Sequence, residues 1–263
     1  MISIGSAQID AWIVAFIFPL SRILGFIATA PLWATSGIPR RTRLIVGLAI
    51  SVAITPSLPP MPTVPPASLE GLWIMGLQML LGIGMGFAAK VVFTAYEMAG
   101  EFISSQMGLG FATFYDPMNS AQTPVITEFI SLLALLLFMA LNGHLLYLGT
   151  LAQSFSTIPV SSQPLDARSW LNLAELGSKI FSLGLLLSLP VIVALMITNI
   201  ALAVLTRAAP QLNLFALGFP LTIMGGFIAL AISLNYLATP LQGIFELGME
   251  AMLGYAIPAA AHP

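Results

Sequence analysis

Glu97 and Glu101 stand four residues apart, and with Lys90, Thr94 and Ser104 or Ser105 they would make one polar stripe along a helix. Two like charges on one face need water or partners. The stripe is therefore either the solvated end of a helix leaving a membrane or a wall facing an aqueous path. Arg22 poses a sharper question, because it sits in a strongly apolar stretch where a central arginine costs about 2.5–3.5 kcal/mol on insertion scales. It calls for a partner. A buried pair with a carboxylate such as Glu128, or with one on another subunit, is preferred to a transport role.

His144, next to Asn142, is the one histidine of the hydrophobic body. A single histidine makes no metal site, and a hydrogen bond between helices is the simpler task for it. No HExxH, GxSxG or phosphate-loop pattern occurs, and no nucleophile or base has a positioned partner. Neither an enzyme nor a cofactor is expected. Gly82 with Gly86, and Gly84 with Ala88, repeat small residues four apart on an apolar helix, which permits close helix contact.

The segment from Gln106 to Pro117, QMGLGFATFYDP, differs from these. Met107, Phe111, Phe114 and Tyr115 cluster as large apolar groups. Gly108 and Gly110 permit unusual backbone angles, and Pro117 turns Asp116 away from helical geometry, so these positions read as hinges. Two readings stand: Met107, Phe111 and Phe114 form the packed face of a helix, or the segment is a hydrophobic gate that excludes water and ions until displaced.

The elements that position these residues follow from composition. Of 263 residues, 58% are hydrophobic and 7% charged, so no water-soluble surface can be built from this chain. An all-α, multi-helix membrane protein is expected, since a span of about 30 Å needs roughly 20 helical residues. Six apolar stretches qualify as candidates, near residues 11–34, 44–57, 71–95, 129–153, 180–206 and 212–238. The second is short, and the sixth contains Pro220. Six prolines between Pro56 and Pro66 forbid a helix there, and a polar linker runs from Ile158 to Leu171. The lapse between Thr206 and Gln211 makes the last two stretches an antiparallel hairpin. In the tail, Leu241, Ile244, Phe245, Gly248 and Met252 oppose Glu246 and Glu250, as on an amphipathic helix. Cysteine is absent, and a net charge of −2 with scattered Lys and Arg offers no footprint for nucleic acid. Arg40, Arg41, Arg43, Lys90 and Arg207 fall on one side of such a topology against Arg168 and Lys179, which assigns the first loop to the cytoplasm.

With these passages in hand, the sequence resembles the FliR family of flagellar biosynthesis proteins, shared with the corresponding export subunit of injectisomes. The resemblance rests on SRILGFIATAPLW (21–33), IPRRTRLIVGLAI (38–50), AGEFISSQMGLGFATFYDP (99–117), LFMALNGHLLYL (137–148) and, most specifically, TRAAPQLNLFALGFPLT (206–222). It implies an export gate in the bacterial inner membrane and flagellar basal body, partly on the periplasmic side. Such a chain assembles with FliP, FliQ and FlhB, with FlhA nearby, and the assembly passes unfolded export substrates amid membrane lipid.

The resemblance further implies a FliP-like helical region over 1–175 and a FliQ-like hairpin with its tail over 176–263. The family's plug loop matches 106–117, with Phe111 and Phe114 as the sealing aromatics. Arg207, Gln211 and Asn213 match the hairpin end where FlhB would pack. An injectisome subunit is the alternative within the family. A secondary transporter is the alternative outside it, although matching internal halves and intramembrane charges for a solute are not seen.

Overall fold

The computed structural model describes residues 6–35, 37–111, 124–209 and 214–254. Among the described residues there is no strand. The helices are α1 (Ser6–Thr29), α2 (Arg40–Ile54), α3 (Leu69–Gln106), α4 (Val125–Ala140), α5 (Gly143–Thr157), α6 (Ala167–Ala208) and α7 (Leu214–Gly254), with 3-10 turns at Thr55–Ser57 and Leu109–Phe111. By contacts the described chain divides into two units, one from the ranges 1–91, 142–177 and 247–263, the other from 92–141 and 178–246.

The first unit is organised by α1. Val14, Phe18, Arg22, Phe26 and Ala30 recur every fourth residue and are all buried, which is one helical stripe. That stripe meets Ile74 and Gln78 of α3, where Leu81 and Met85 are buried as well. The two backbones come into direct contact, as the small-residue spacing predicts. A β-carbon on Gly82 would strike the Arg22 carbonyl and lie 2.8 Å from Phe26 N, and one on Gly86 would lie 2.7 Å from the Phe26 carbonyl. From the other side, Gly25 sits against the Met79 carbonyl.

α2 packs on α1 through Gly47, which receives the Leu24 side chain. The proline run ends α2: beyond the turn at Thr55–Ser57 no helix forms before Leu69. Met61 and Val64 from this run, with Val160 of the linker, cover a cluster of Val14, Phe18 and Ile74. The linker is non-helical from Ile158 to Asp166, but α6 starts at Ala167, inside the expected linker. The helix therefore begins before its apolar part does.

The second unit centres on aromatic rings. Phe138 of α4 and Phe245 of α7 lie 5.1 Å apart between centroids, and Phe93 of α3 meets Phe138 edge-on at 5.2 Å. Tyr96 completes the group, 5.5 Å from Phe245. Such tilted and edge-on pairs are the geometry that ring quadrupoles favour. Gly100 allows Thr127 of α4 to approach α3, and Gly184 of α6 packs against Met98.

The helices differ from the six expected spans. Among the described residues four are long and apolar enough to cross a membrane, within Trp12–Thr29, Leu69–Gln106, Ala167–Ala208 and Gly218–Asn235; a fifth exists if α4 and α5 count as one broken span. α2, with 15 residues, is about 22 Å long and falls short of a core of about 30 Å. The stretch 129–153 breaks because Asn142 takes a left-handed conformation, φ 55 and ψ 27, between α4 and α5. α3, with 38 residues, measures about 57 Å, well beyond one hydrocarbon core. The expected amphipathic tail is the last part of α7, where Ile244, Phe245 and Met252 are buried and Glu246 and Glu250 exposed.

Candidate functional site

α3 ends where the 106–117 segment begins, and that end is tightly built. Met107 N–H donates to the Ile103 carbonyl at 2.9 Å, and Gly108 N–H to the Ser105 carbonyl at 3.0 Å. Gly108 then takes φ 82, the left-handed angle with which glycine commonly stops a helix. The chain continues into the 3-10 turn Leu109–Phe111, and a β-carbon on Gly110 would meet nothing within 4 Å among the described residues.

Met107 is fully buried. Its side chain lies on Gly226 of α7, where a β-carbon would stand 2.6 Å from Met107 Cγ. Thr222, one turn before Gly226, donates its hydroxyl to the Met107 carbonyl at 3.4 Å and to the Phe219 carbonyl at 3.0 Å. A cleft of about 460 Å³ opens beside this anchor, between Ser105–Gly108, Asn199 and Leu202 of α6, and Gly218, Phe219 and Thr222 of α7. Met107 is thus packed into the fold where the segment starts. Thr222 and Gly226, which hold it, carry no local signal in sequence because they lie more than a hundred residues away.

Only the backbone of Phe111 is described here, and Phe114, Tyr115 and Pro117 lie outside the described residues. The same holds for Gln211 and Asn213, while Arg207 is exposed near the end of α6. Glu97 and Glu101 are both exposed on α3, with Lys90 exposed about two turns earlier. Glu101 Oε2 accepts from Thr127 Oγ1 at 3.4 Å. Ser104 belongs elsewhere: it is buried, and its hydroxyl has no partner among the described residues.

Arg22 is fully buried. Its Nε donates to Gln78 Oε1 at 2.8 Å, Nη1 to the Ser154 carbonyl at 2.9 Å and hydroxyl at 3.0 Å, and Nη2 to the Ile158 carbonyl at 2.8 Å. The guanidinium also lies over the Phe155 ring, 4.2 Å from its centroid. These described partners are neutral oxygens, supplied by α3, α5 and the first residue after α5. Glu128, the expected carboxylate, is exposed in the first turn of α4, in the other unit. Oxygens held by the fold can satisfy the planar fork without a second buried charge. His144 is half-buried, and its Nδ1 has no hydrogen-bond partner among the described residues, so the expected interhelical bond is not made by that atom.

The family described as bacterial export proteins, family 1, matches residues 13–248. The flagellar biosynthetic protein FliR of Escherichia coli K12 is 40% identical over 94% of each chain. The protein of that name from Pectobacterium carotovorum is 39% identical, also over 94% of each. The one from Bacillus subtilis is 31% identical over 90% of this chain and 93% of its own.

Proposed function

This chain belongs to the bacterial export proteins, family 1, and on that premise we propose that it is a structural and gating subunit of the flagellar protein-export channel in the inner membrane. The observation that carries the gating part is the anchorage of Met107. A fully buried side chain, a left-handed glycine and a threonine bond hold the start of the segment. An aromatic-rich stretch fixed at its foot can close a conduit and still be displaced by a passing chain, because only its outer part must move. In this reading Phe111, Phe114 and Tyr115 form the seal, Met107 its anchor, and Gly108, Gly110 and Pro117 the places where the backbone turns.

The assembly part is supported by what the chain leaves uncovered. On α6, Phe181, Leu186, Ile197, Ile200 and Val204 are all about 60% exposed or more, an apolar surface that needs lipid or sister subunits. FliP, FliQ and FlhB are the proposed sisters, with FlhA nearby, and unfolded export substrates the cargo. The division into a FliP-like 1–175 and a FliQ-like 176–263 belongs to this proposal. So does a position partly on the periplasmic side, for which helices longer than one hydrocarbon core offer support. Glu97 and Glu101, both exposed, are taken in this proposal as a wall facing an aqueous path rather than as the solvated end of a helix leaving the membrane. The flagellar names of the relatives favour the flagellar machine over the injectisome.

A density map of the isolated assembly tests the gate. Residues 106–117 are expected across the central passage, and finding them on the outer surface sinks the proposal. Arg207, Gln211 and Asn213 are proposed to meet FlhB, and a photoreactive group at position 211 that captures no FlhB removes that part.

A further inference from the structure

α2 is too short to cross a bilayer, yet one of its faces is apolar and uncovered. Leu44, Ile45, Leu48 and Val52 are 51%, 65%, 43% and 62% exposed, while Gly47 and Ser51 on the adjoining face are buried, Gly47 against Leu24 of α1. All three basic residues of this helix stand at its N-terminal end. Arg40 and Arg41 are exposed and make no hydrogen bond or ion pair among the described residues. Arg43 donates from Nη2 to the Thr35 carbonyl at 2.5 Å, and its Nε has no partner there. The helix contains no acidic residue to balance them.

We propose that this face is a binding surface for an anionic phospholipid, with Arg40, Arg41 and Arg43 at the headgroup and the stripe Leu44–Val52 along its acyl chains. Length decides between this and a protein partner. From Leu44 to Val52 the stripe rises about 12 Å, close to the depth of one leaflet, about 15 Å, and the arginines stand where its headgroups begin. A partner helix requires no such match between stripe length and charge position. The positive-inside bias assigns this end to the cytoplasmic side, where the leaflet is anionic. The surface is independent of any role of the 106–117 segment.

The test uses the whole export complex reconstituted in phosphatidylcholine bilayers with a minor fraction of photoactivatable phosphatidylglycerol or, in parallel, photoactivatable phosphatidylcholine. Crosslinks within residues 40–52 are counted by mass spectrometry. The glycerol lipid is expected to label this segment about tenfold or more above the choline lipid, with the preference kept in R40K/R41K and abolished in R40Q/R41Q. Equal labelling of the unmodified complex by both probes overturns the proposal, whatever the variants do. Labelling by neither probe, with α2 captured by another subunit instead, shows a protein interface and overturns it as well.

Discussion

The side chain of Met107 occupies the space that Gly226 leaves open on α7, with Cγ 2.6 Å and Sδ 2.8 Å from where a β-carbon would stand. The start of the 106–117 segment is therefore fitted to a helix far along the chain. Gly226→Ala is expected to cost about 1–3 kcal/mol by overpacking, against a helix-propensity gain of about 1 kcal/mol. Met107→Ala alone is expected to cost about 2–5 kcal/mol. The double variant should lose less than the two losses added, by about 0.5–3 kcal/mol. Thermal unfolding of the purified complex measures this, and strict additivity would show that the two residues do not share the space.

Gly82 and Gly76 lie on the same helix in opposite circumstances. A β-carbon at 82 meets backbone of α1, which no rotamer change can relieve, whereas one at 76 meets nothing within 4 Å. Gly82→Ala is expected to force α1 from α3 and cost about 3 kcal/mol or more, while Gly76→Ala gains up to about 1 kcal/mol. The level of folded protein in membranes reads the difference. Equal levels for the two variants would deny the close approach.

Arg22 ties the residue after α5 into the first unit through the Ile158 carbonyl. Arg22→Met leaves Gln78, Ser154 and Ile158 oxygens without their donor in an apolar interior and is expected to cost about 3 kcal/mol or more. Arg22→Lys keeps the charge but not the fork, so a smaller loss is expected. Because Ile158 begins the exposed linker, both variants should speed tryptic cleavage at Arg168. An unchanged cleavage rate would mean that this clamp does not hold the linker.

How much of this was legible in the sequence differs by element. The proline run ended a helix as read, since missing donors and fixed φ act locally. The Gly82 and Gly86 contact was legible for the same reason: absent side chains permit what neighbouring positions forbid. The break at Asn142 escaped a reading by hydropathy, because apolar residues continue on both sides of it. The Asn142-Gly143 pair was the turn signal that could have revealed it. The early start of α6 escaped likewise, since its first turns are polar.

At the candidate site, Gly108 was read as a turning point and takes a left-handed angle. Met107 was grouped with Phe111, Phe114 and Tyr115 as one cluster of large apolar groups, and it packs against Gly226. Nothing in the local run distinguishes a buried methionine from a projecting one; Thr222 and Gly226 decide it from across the fold. The partners of Arg22 were hidden similarly, since Gln78 and Ser154 are separated from it by 56 and 132 residues. The need for a partner could be read, but not that Gln78, Ser154 and Ile158 would supply oxygens to it.

The most direct measurement of the gate is the ion conductance of membranes in cells expressing the whole complex, with Phe111→Ala and Phe114→Ala combined in this subunit. If these rings stopper the passage, the complex still assembles and the conductance rises above that of the unmodified complex. A correctly assembled double variant with unchanged conductance contradicts the sealing role.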